Sequence, residues 1–137
     1  LPTCAALLRR APFRGRGPLT EERLARLKPA DFHLLCRAFR VPTVIVTLGR
    51  RGSFVSEVGR HTLIPACRGI VAVDTSGAGD AFVGGFAAGL VRFKGDTLAA
   101  ARYGTVVAGL SVTRAGTAPS MPRRAEIERF RRRSGLL

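Results

Sequence analysis

The sequence predicts an α/β fold, and three observations carry the prediction. Thr43-Val44-Ile45-Val46-Thr47-Leu48 is short, β-branched and continuously apolar, the pattern of a buried strand of the parallel type. A second apolar run, Gly69-Ile70-Val71-Ala72-Val73, leads straight into a glycine turn and a small-residue helix. Segments of helical period lie on both sides of these runs.

Taken in order, residues 1–19 contain Pro2, Pro12 and Pro18 with Gly15 and Gly17, and support no regular structure. Thr20 before Glu21-Glu22 reads as an N-cap with acids in the first turn, opening a short helix to about Leu27. Phe32, Leu35, Cys36 and Phe39 recur at helical spacing, giving an amphipathic helix over about 30–39 that Pro42 ends. After the strand at 43–48, Gly49-Arg50-Arg51-Gly52 is a turn. Ser53–Val58 and His61–Ala66 flank Gly59-Arg60 as a hairpin.

Ile70–Val73 is expected to form a short strand delivering the next turn. The helix over 80–92 carries Gly84, Gly85, Ala87, Ala88 and Gly89. Interior glycines cost helix stability, roughly 0.8–1 kcal/mol each against Ala, and close packing on a neighbour is the usual offset. A second helix runs from about Thr97 to Thr113, with Leu98, Val106 and Leu110 on its apolar side. Residues 114–120 form a loop, and an Arg-rich helix over 123–133 is expected to lie on the surface.

The formal net charge is +14, with 23 Lys+Arg against 9 Asp+Glu. Such a balance attracts nucleic acid, acidic lipid or phosphorylated ligands. The excess is concentrated at the ends: residues 1–40 hold nine cations and three acids, and residues 122–137 hold six and two. This distribution argues against a nucleic-acid module; solvated ends and a polyanion contact both remain open readings. Cys4, Cys36 and Cys67 are widely spaced and show no metal-ligand or disulfide pattern, which fits a reducing cytoplasmic compartment. No apolar run approaches ~20 residues, so no membrane span is expected. Residues 1–16 are Arg-rich and acid-free, loosely like a transit peptide, but without an amino-terminal Met a non-native start is the preferred reading.

The chemistry concentrates in residues 74–85, Asp-Thr-Ser-Gly-Ala-Gly-Asp-Ala-Phe-Val-Gly-Gly. A glycine turn at a helix start offers backbone N–H groups and the helix dipole to an anion. Gly77, Ala78 and Gly79 are the candidate anion hole for a transferred γ-phosphate. A carboxylate beside a phosphate would be repelled by it, so Asp80 reads as a proton acceptor for an attacking hydroxyl. It also reads as a plain helix N-cap, and the two readings are compatible. Upstream, a strand ending in Thr47-Leu48-Gly49-Arg50-Arg51-Gly52 brings backbone amides near a phosphate, or is simply a hairpin turn.

Residues 74–85 resemble the second signature of the PfkB (ribokinase-like) sugar kinases, close to Asp-Thr-x-Gly-Ala-Gly-Asp-x-Phe-x-Gly, and every fixed position is matched. Thr47–Gly52 is similar to the family's Thr-Leu-Gly-x-x-Gly segment. The resemblance implies a three-layer α/β/α ribokinase-like fold, of which this chain is a C-terminal part. Residues 30–137 would belong to the kinase domain, and residues 1–29 would not. It implies ATP with Mg2+ as donor and a small sugar as acceptor. Asp80 would be the catalytic base in contact with the sugar, and Thr47, Leu48, Gly49, Arg50, Arg51, Gly52, Gly79, Asp80 and Thr105 would be nucleotide neighbours.

The resemblance also implies a potassium site formed by the Asp74 carboxylate, the carbonyls of Ser76, Ser111, Arg114 and Gly116, and the Ser120 hydroxyl. As residues alone, 111–120 reads equally as a helix-exit loop. The family's N-terminal glycine-pair signature, its sugar-contacting acid and its Asn-x-x-Glu segment are not found in this sequence. The chain alone is therefore expected to be an inefficient catalyst. D-ribose is the favoured sugar, with fructokinase, ketodeoxygluconate kinase and nucleoside kinase chemistry open and a homodimer expected of a longer protein. A non-catalytic nucleotide-binding remnant and a basic polyanion binder are the competing classes.

Overall fold

A computed structural model describes residues 26–134. The expected helix from Thr20 and the irregular segment 1–19 lie outside the described residues, as does Cys4. The described chain divides into two compact units. One takes in the residues up to Val46 together with Phe54–Leu63, and the other Thr47–Ser53 and everything from Ile64 onward.

In the first unit, helix α1 (Pro29–Arg37) opens with proline at its start, where a missing N–H costs nothing. Its apolar positions Phe32, Leu35 and Cys36 are buried. Three strands, β1 (Thr43–Thr47), β2 (Ser53–Glu57) and β3 (Arg60–Ile64), form a sheet in the order β1-β2-β3. Phe54 and Val55 are 2% exposed, and the Phe32 and Phe54 rings meet at 4.7 Å. The β2–β3 hairpin turns at Gly59, as the sequence predicts. β1 differs from expectation: it is half-buried, and residues 48–52 are too short a connection for a parallel crossover, which needs a dozen or more residues. Among the described residues it is the outer strand of the sheet, joined to β2 by a hairpin-length turn.

A polar cluster ties α1 to β2. Arg37 donates from Nε to the Ser56 hydroxyl at 3.1 Å and from its terminal amine to the Ser56 carbonyl at 2.8 Å. His33 Nδ1 lies 2.8 Å from the same hydroxyl, and its ring sits 5.0 Å from that of His61. Loss of solvent, then the nearby His61 and Arg37, push the His33 pKa below its ordinary value.

The second unit is built on two long helices, α2 (Ala78–Arg92) and α3 (Thr97–Ser111), packed side by side. Asp96 caps α3 by accepting from the Ala99 N–H at 3.0 Å. The glycines of α2 are where the helices touch. A Cβ at Gly85 would lie 2.8 Å from the Val107 side chain, and one at Gly89 2.8 Å from the Ala100 backbone. Small residues such as Ala100, Ala101 and Gly104, more than the expected Leu98 and Leu110, line the buried face of α3. Ala81, Tyr103, Val106, Val107 and Ile127 form the core cluster.

The final helix α4 (Arg124–Ser134) is not merely surface-lying. Ile127 and Arg131 are buried, and Arg131 stands over the Phe93 and Tyr103 rings at 5.4 and 5.6 Å.

Residues 70–73 do not form the expected strand. Val71 and Val73 are 77% and 67% exposed. A strand exists only against a neighbour, and among the described residues the only backbone hydrogen bond of this run is from the Val73 N–H to the Val112 carbonyl, at 2.7 Å.

Candidate active site

The site residues of the second unit are set by backbone geometry. Gly52 has φ +97°, and a Cβ there would fall 2.0 Å from the Ile64 carbonyl oxygen, so only glycine fits. Its carbonyl accepts from the Leu48 N–H at 2.7 Å, closing the turn around the short 3-10 helix Gly49–Arg51. Gly77, at φ +73°, takes the N-cap position of α2 in the left-handed region.

The helix therefore begins at Ala78, two residues earlier than expected, and Asp80 falls in its first turn rather than at the cap. The Ala78 N–H donates to the Thr75 carbonyl at 3.2 Å. Among the described residues no acceptor engages the N–H groups of Gly77, Gly79 or Asp80. These are the orphan donors of a helix start, the kind of group that suits an anion.

A cavity of about 390 Å³ lies in this unit. Thr47, Gly49, Arg50, Gly52, Ala78, Gly79 and Thr105, all singled out from the sequence, line it. Leu48, Arg51, Gly77 and Asp80 do not. Asp80 is exposed at the mouth of the helix. The sequence reading missed Cys67, Ile70, Ala72 and Phe82, and the wall made by Ala108, Gly109 and Val112. Thr105, Ala108, Gly109 and Val112 follow an i, i+3, i+4, i+7 pattern of small residues, the signal that would have found this wall.

The Thr105 hydroxyl donates to the Ala101 carbonyl at 2.9 Å, so the buried Ser53 hydroxyl, 3.2 Å away, is the donor between them. Burial pushes the Cys67 thiol up to about 11, so it stays protonated at neutral pH.

Asp74 joins the signature to the 111–120 loop. Its carboxylate accepts from the Ser76 N–H and the Gly116 N–H, each at 2.9 Å. Those bonds, Ser76 first, hold its pKa below the usual carboxylate value. The Val112 carbonyl accepts from the Val73 and Asp74 N–H groups at 2.7 and 3.2 Å. The Ser120 hydroxyl is buried and donates to the Thr117 carbonyl, and that of Ser111 donates to the Ala108 carbonyl. Arg114 pairs through its guanidinium with Glu126. The expected cation ligands Asp74, Ser76 and Gly116 are thus in direct contact through hydrogen bonds. Their oxygens are carboxylate and carbonyl, a donor set suited to an alkali cation. No group of three or more His, Cys, Asp or Glu residues able to hold a metal occurs among the described residues. No described helix is long and apolar enough to cross a membrane.

Comparison with known proteins points to one family. The family model for pfkB family carbohydrate kinases matches residues 29–124. The ribokinase of Haemophilus influenzae is 41% identical over 91 residues, covering 66% of this chain and 29% of that enzyme. The deoxyribokinase of Salmonella typhi is 44% identical over 87 residues, covering 64% of this chain and 27% of that enzyme. Among solved structures, the ribokinase of Arabidopsis thaliana complexed with ribose and ATP superposes with a TM-score of 0.69 at 26% identity, over 80% of this chain and 38% of that one. The chain spans less than a third of the length of the curated relatives it matches. On the signature turn, the glycine-lined cavity and these likenesses, the chain belongs to the pfkB family of carbohydrate kinases.

Proposed function

We propose that this chain supplies the nucleotide-binding and base-bearing part of a sugar kinase that moves the ATP γ-phosphate to a sugar hydroxyl. One observation supports this most: the Thr47–Gly52 turn and the start of α2 line one cavity. Glycine amides and a helix dipole there suit phosphates, and the apolar wall of α3 suits a base. ATP would be held by Thr47, Gly49, Arg50, Gly52, Gly79 and Thr105. Gly77 and Gly79 would donate to the transferred phosphate, joined by Ala78 if its bond to Thr75 yields. Mg2+ would arrive on the phosphates, as it does where few carboxylates are present. Potassium would sit by Asp74, Ser76, Ser111, Arg114, Gly116 and Ser120, steadying the amides of the glycine turn.

Asp80 would take the proton from the sugar's primary alcohol as the oxygen attacks phosphorus. D-ribose is the favoured acceptor, giving ribose 5-phosphate. The similar identities to a ribokinase and a deoxyribokinase keep both pentoses in play. In the same reading residues 30–137 are the kinase part, residues 1–29 stand apart from it, the protein is cytoplasmic, and a longer form pairs as a homodimer. A second reading, nucleotide binding without turnover, draws on the exposure of Asp80 and its absence from the cavity wall.

Transfer of label from γ-labelled ATP to D-ribose and 2-deoxyribose separates the two. The kinase reading expects slow, sugar-dependent product that Asp80→Asn lowers about 10²–10⁴-fold, the usual worth of a general base, with ATP binding retained. Retained ATP binding with no transfer to either sugar favours the second reading.

A further inference from the structure

The chain has two histidines in 137 residues, and the first unit brings them together. His33 lies on α1 and His61 on β3, and their rings are centred 5.0 Å apart. Both rings are held. The turn at Val58-Gly59 joins Glu57 of β2 to Arg60 of β3, which sets Ser56 opposite His61 on one face of the hairpin. Phe54 is on that face too, and the His61 ring stacks on it at 5.6 Å. His33 is fixed by the Ser56 hydroxyl, 2.8 Å from its Nδ1. Arg37 in turn holds Ser56, donating to its hydroxyl and its carbonyl, and gives its remaining bonds to the Val41 and Pro42 carbonyls.

This decides which nitrogen of His33 is available. Arg37 takes one lone pair of the Ser56 hydroxyl. The hydroxyl then either gives its proton to Nδ1 or accepts one from it, and Nδ1 is occupied in both cases. Nε2 is left, on a half-buried ring beside the exposed ring of His61. A histidine that gives its Nδ1–H to an oxygen and keeps Nε2 open has the usual form of a metal ligand. Two imidazoles on one tetrahedral ion have ring centres about 5 Å apart, given metal–nitrogen bonds of about 2.0–2.1 Å. His33 and His61 already have that spacing.

We propose that His33 and His61 form a two-histidine site for a late first-row divalent cation, Zn2+, Ni2+ or Cu2+, with water completing its coordination. Imidazole nitrogen suits these ions, whereas Mg2+ and Ca2+ take oxygen. Glu57 stands on the opposite face of β2 from Ser56 by strand alternation and pairs with Arg60 at 2.6 Å, so the hairpin adds no carboxylate. Among the described residues no third His, Cys, Asp or Glu joins the pair. With the ion on Nε2, Nδ1 carries the ring proton and donates it to the Ser56 hydroxyl. The bound ion ties α1 to β3. This site lies in the first unit, and the inference is independent of the nucleotide reading above.

The test is calorimetric titration of the full chain with Zn2+ alone, in a non-chelating buffer without nucleotide, for wild type, His33→Gln, His61→Gln and the double variant. One Zn2+ per chain is expected. Either substitution should weaken it at least about tenfold, the loss already reached when only the support of a ligand is removed. The double variant should lose little more, because each single change already breaks the chelate. Zn2+ should raise the melting midpoint of the wild type and leave those of the variants unmoved. The spin resonance of Cu2+ bound to the wild type should show two imidazole nitrogens. His61 is exposed, so His61→Gln tests the site without disturbing the core, and a cooperative melt in the absence of metal verifies its fold. No Zn2+ binding by the wild type overturns the proposal. Binding that survives in His61→Gln overturns it too, since the ligands then lie elsewhere, as does a loss confined to one of the two histidines.

Discussion

Two aspartates six positions apart in the sequence do different physical work. Asp74 is locked: both its oxygens hold backbone N–H groups, one from its own turn and one from the loop forty-two residues on. Asp80 is exposed in the first turn of α2, where negative charge complements the helix dipole. The sequence marks both as acids in a glycine turn, but the bond from Gly116 to Asp74 is a long-range fact that no local pattern carries. His33 is a third kind of residue, neutral by environment. Its folded pKa lies below the ordinary 6.5, so the unfolded chain takes up its proton first. Its contribution to stability is present above pH 6.5 and is lost as pH falls below it.

The opposite group, Asp74, has a folded pKa below 3.8, so its contribution persists until pH falls through that lower range. Thermal melts between pH 7.5 and 5 should therefore show a falling midpoint that His33→Gln reduces, with Asp74 contributing nothing to the change. A melting curve flat over that range would contradict the His33 cluster.

At the scale of elements, the α2–α3 pair is held by what is missing from its side chains. Gly85 and Gly89 face α3 so closely that a methyl group has no room. Gly84, one position from Gly85, has nothing within 4 Å of its virtual Cβ. Gly89→Ala should lower stability by about 1–3 kcal/mol, the usual cost of overpacking. Gly84→Ala should raise it by up to about 0.8 kcal/mol through helix propensity alone. Chemical denaturation of the two variants checks both signs; stabilisation by both would mean that the helices are not in close contact.

This pair also shows what could be read from the sequence. Helix existence and the need for a close neighbour were legible from the glycine content. Which glycines touch, and that small residues of α3 form the opposing wall, depended on the rotation of one helix against another. The strand expected at 70–73 shows the reverse. Its apolar run is strand-like, but pairing is a property of two segments, and among the described residues none pairs with it. The β1 run misled in the same way: continuous β-branched residues look alike in a buried parallel strand and an outer antiparallel one. Only the short connection at 48–52 separates them.

At the scale of the whole molecule, the two units carry different duties. The first holds the sheet, α1 and the histidine cluster, and the second holds the glycine turns, the cavity and the Asp74-anchored loop. Most of the candidate site was legible because the signature is local: one turn and one helix start within twelve residues. The cavity's far wall was not, because it comes from the middle of α3, some thirty residues later in the chain. The net charge of +14, by contrast, is spread mostly over the two ends and says little about this site.

In the function proposed above, the second unit holds ATP at a site steadied by a monovalent cation. Calorimetric titration of the purified chain with ATP and magnesium, in potassium chloride and in an equal concentration of a bulky organic chloride, tests it most directly. Saturable binding of one ATP per chain, tighter in potassium, is the predicted result. Absence of any ATP binding in either salt, from a chain that melts cooperatively, would contradict the account.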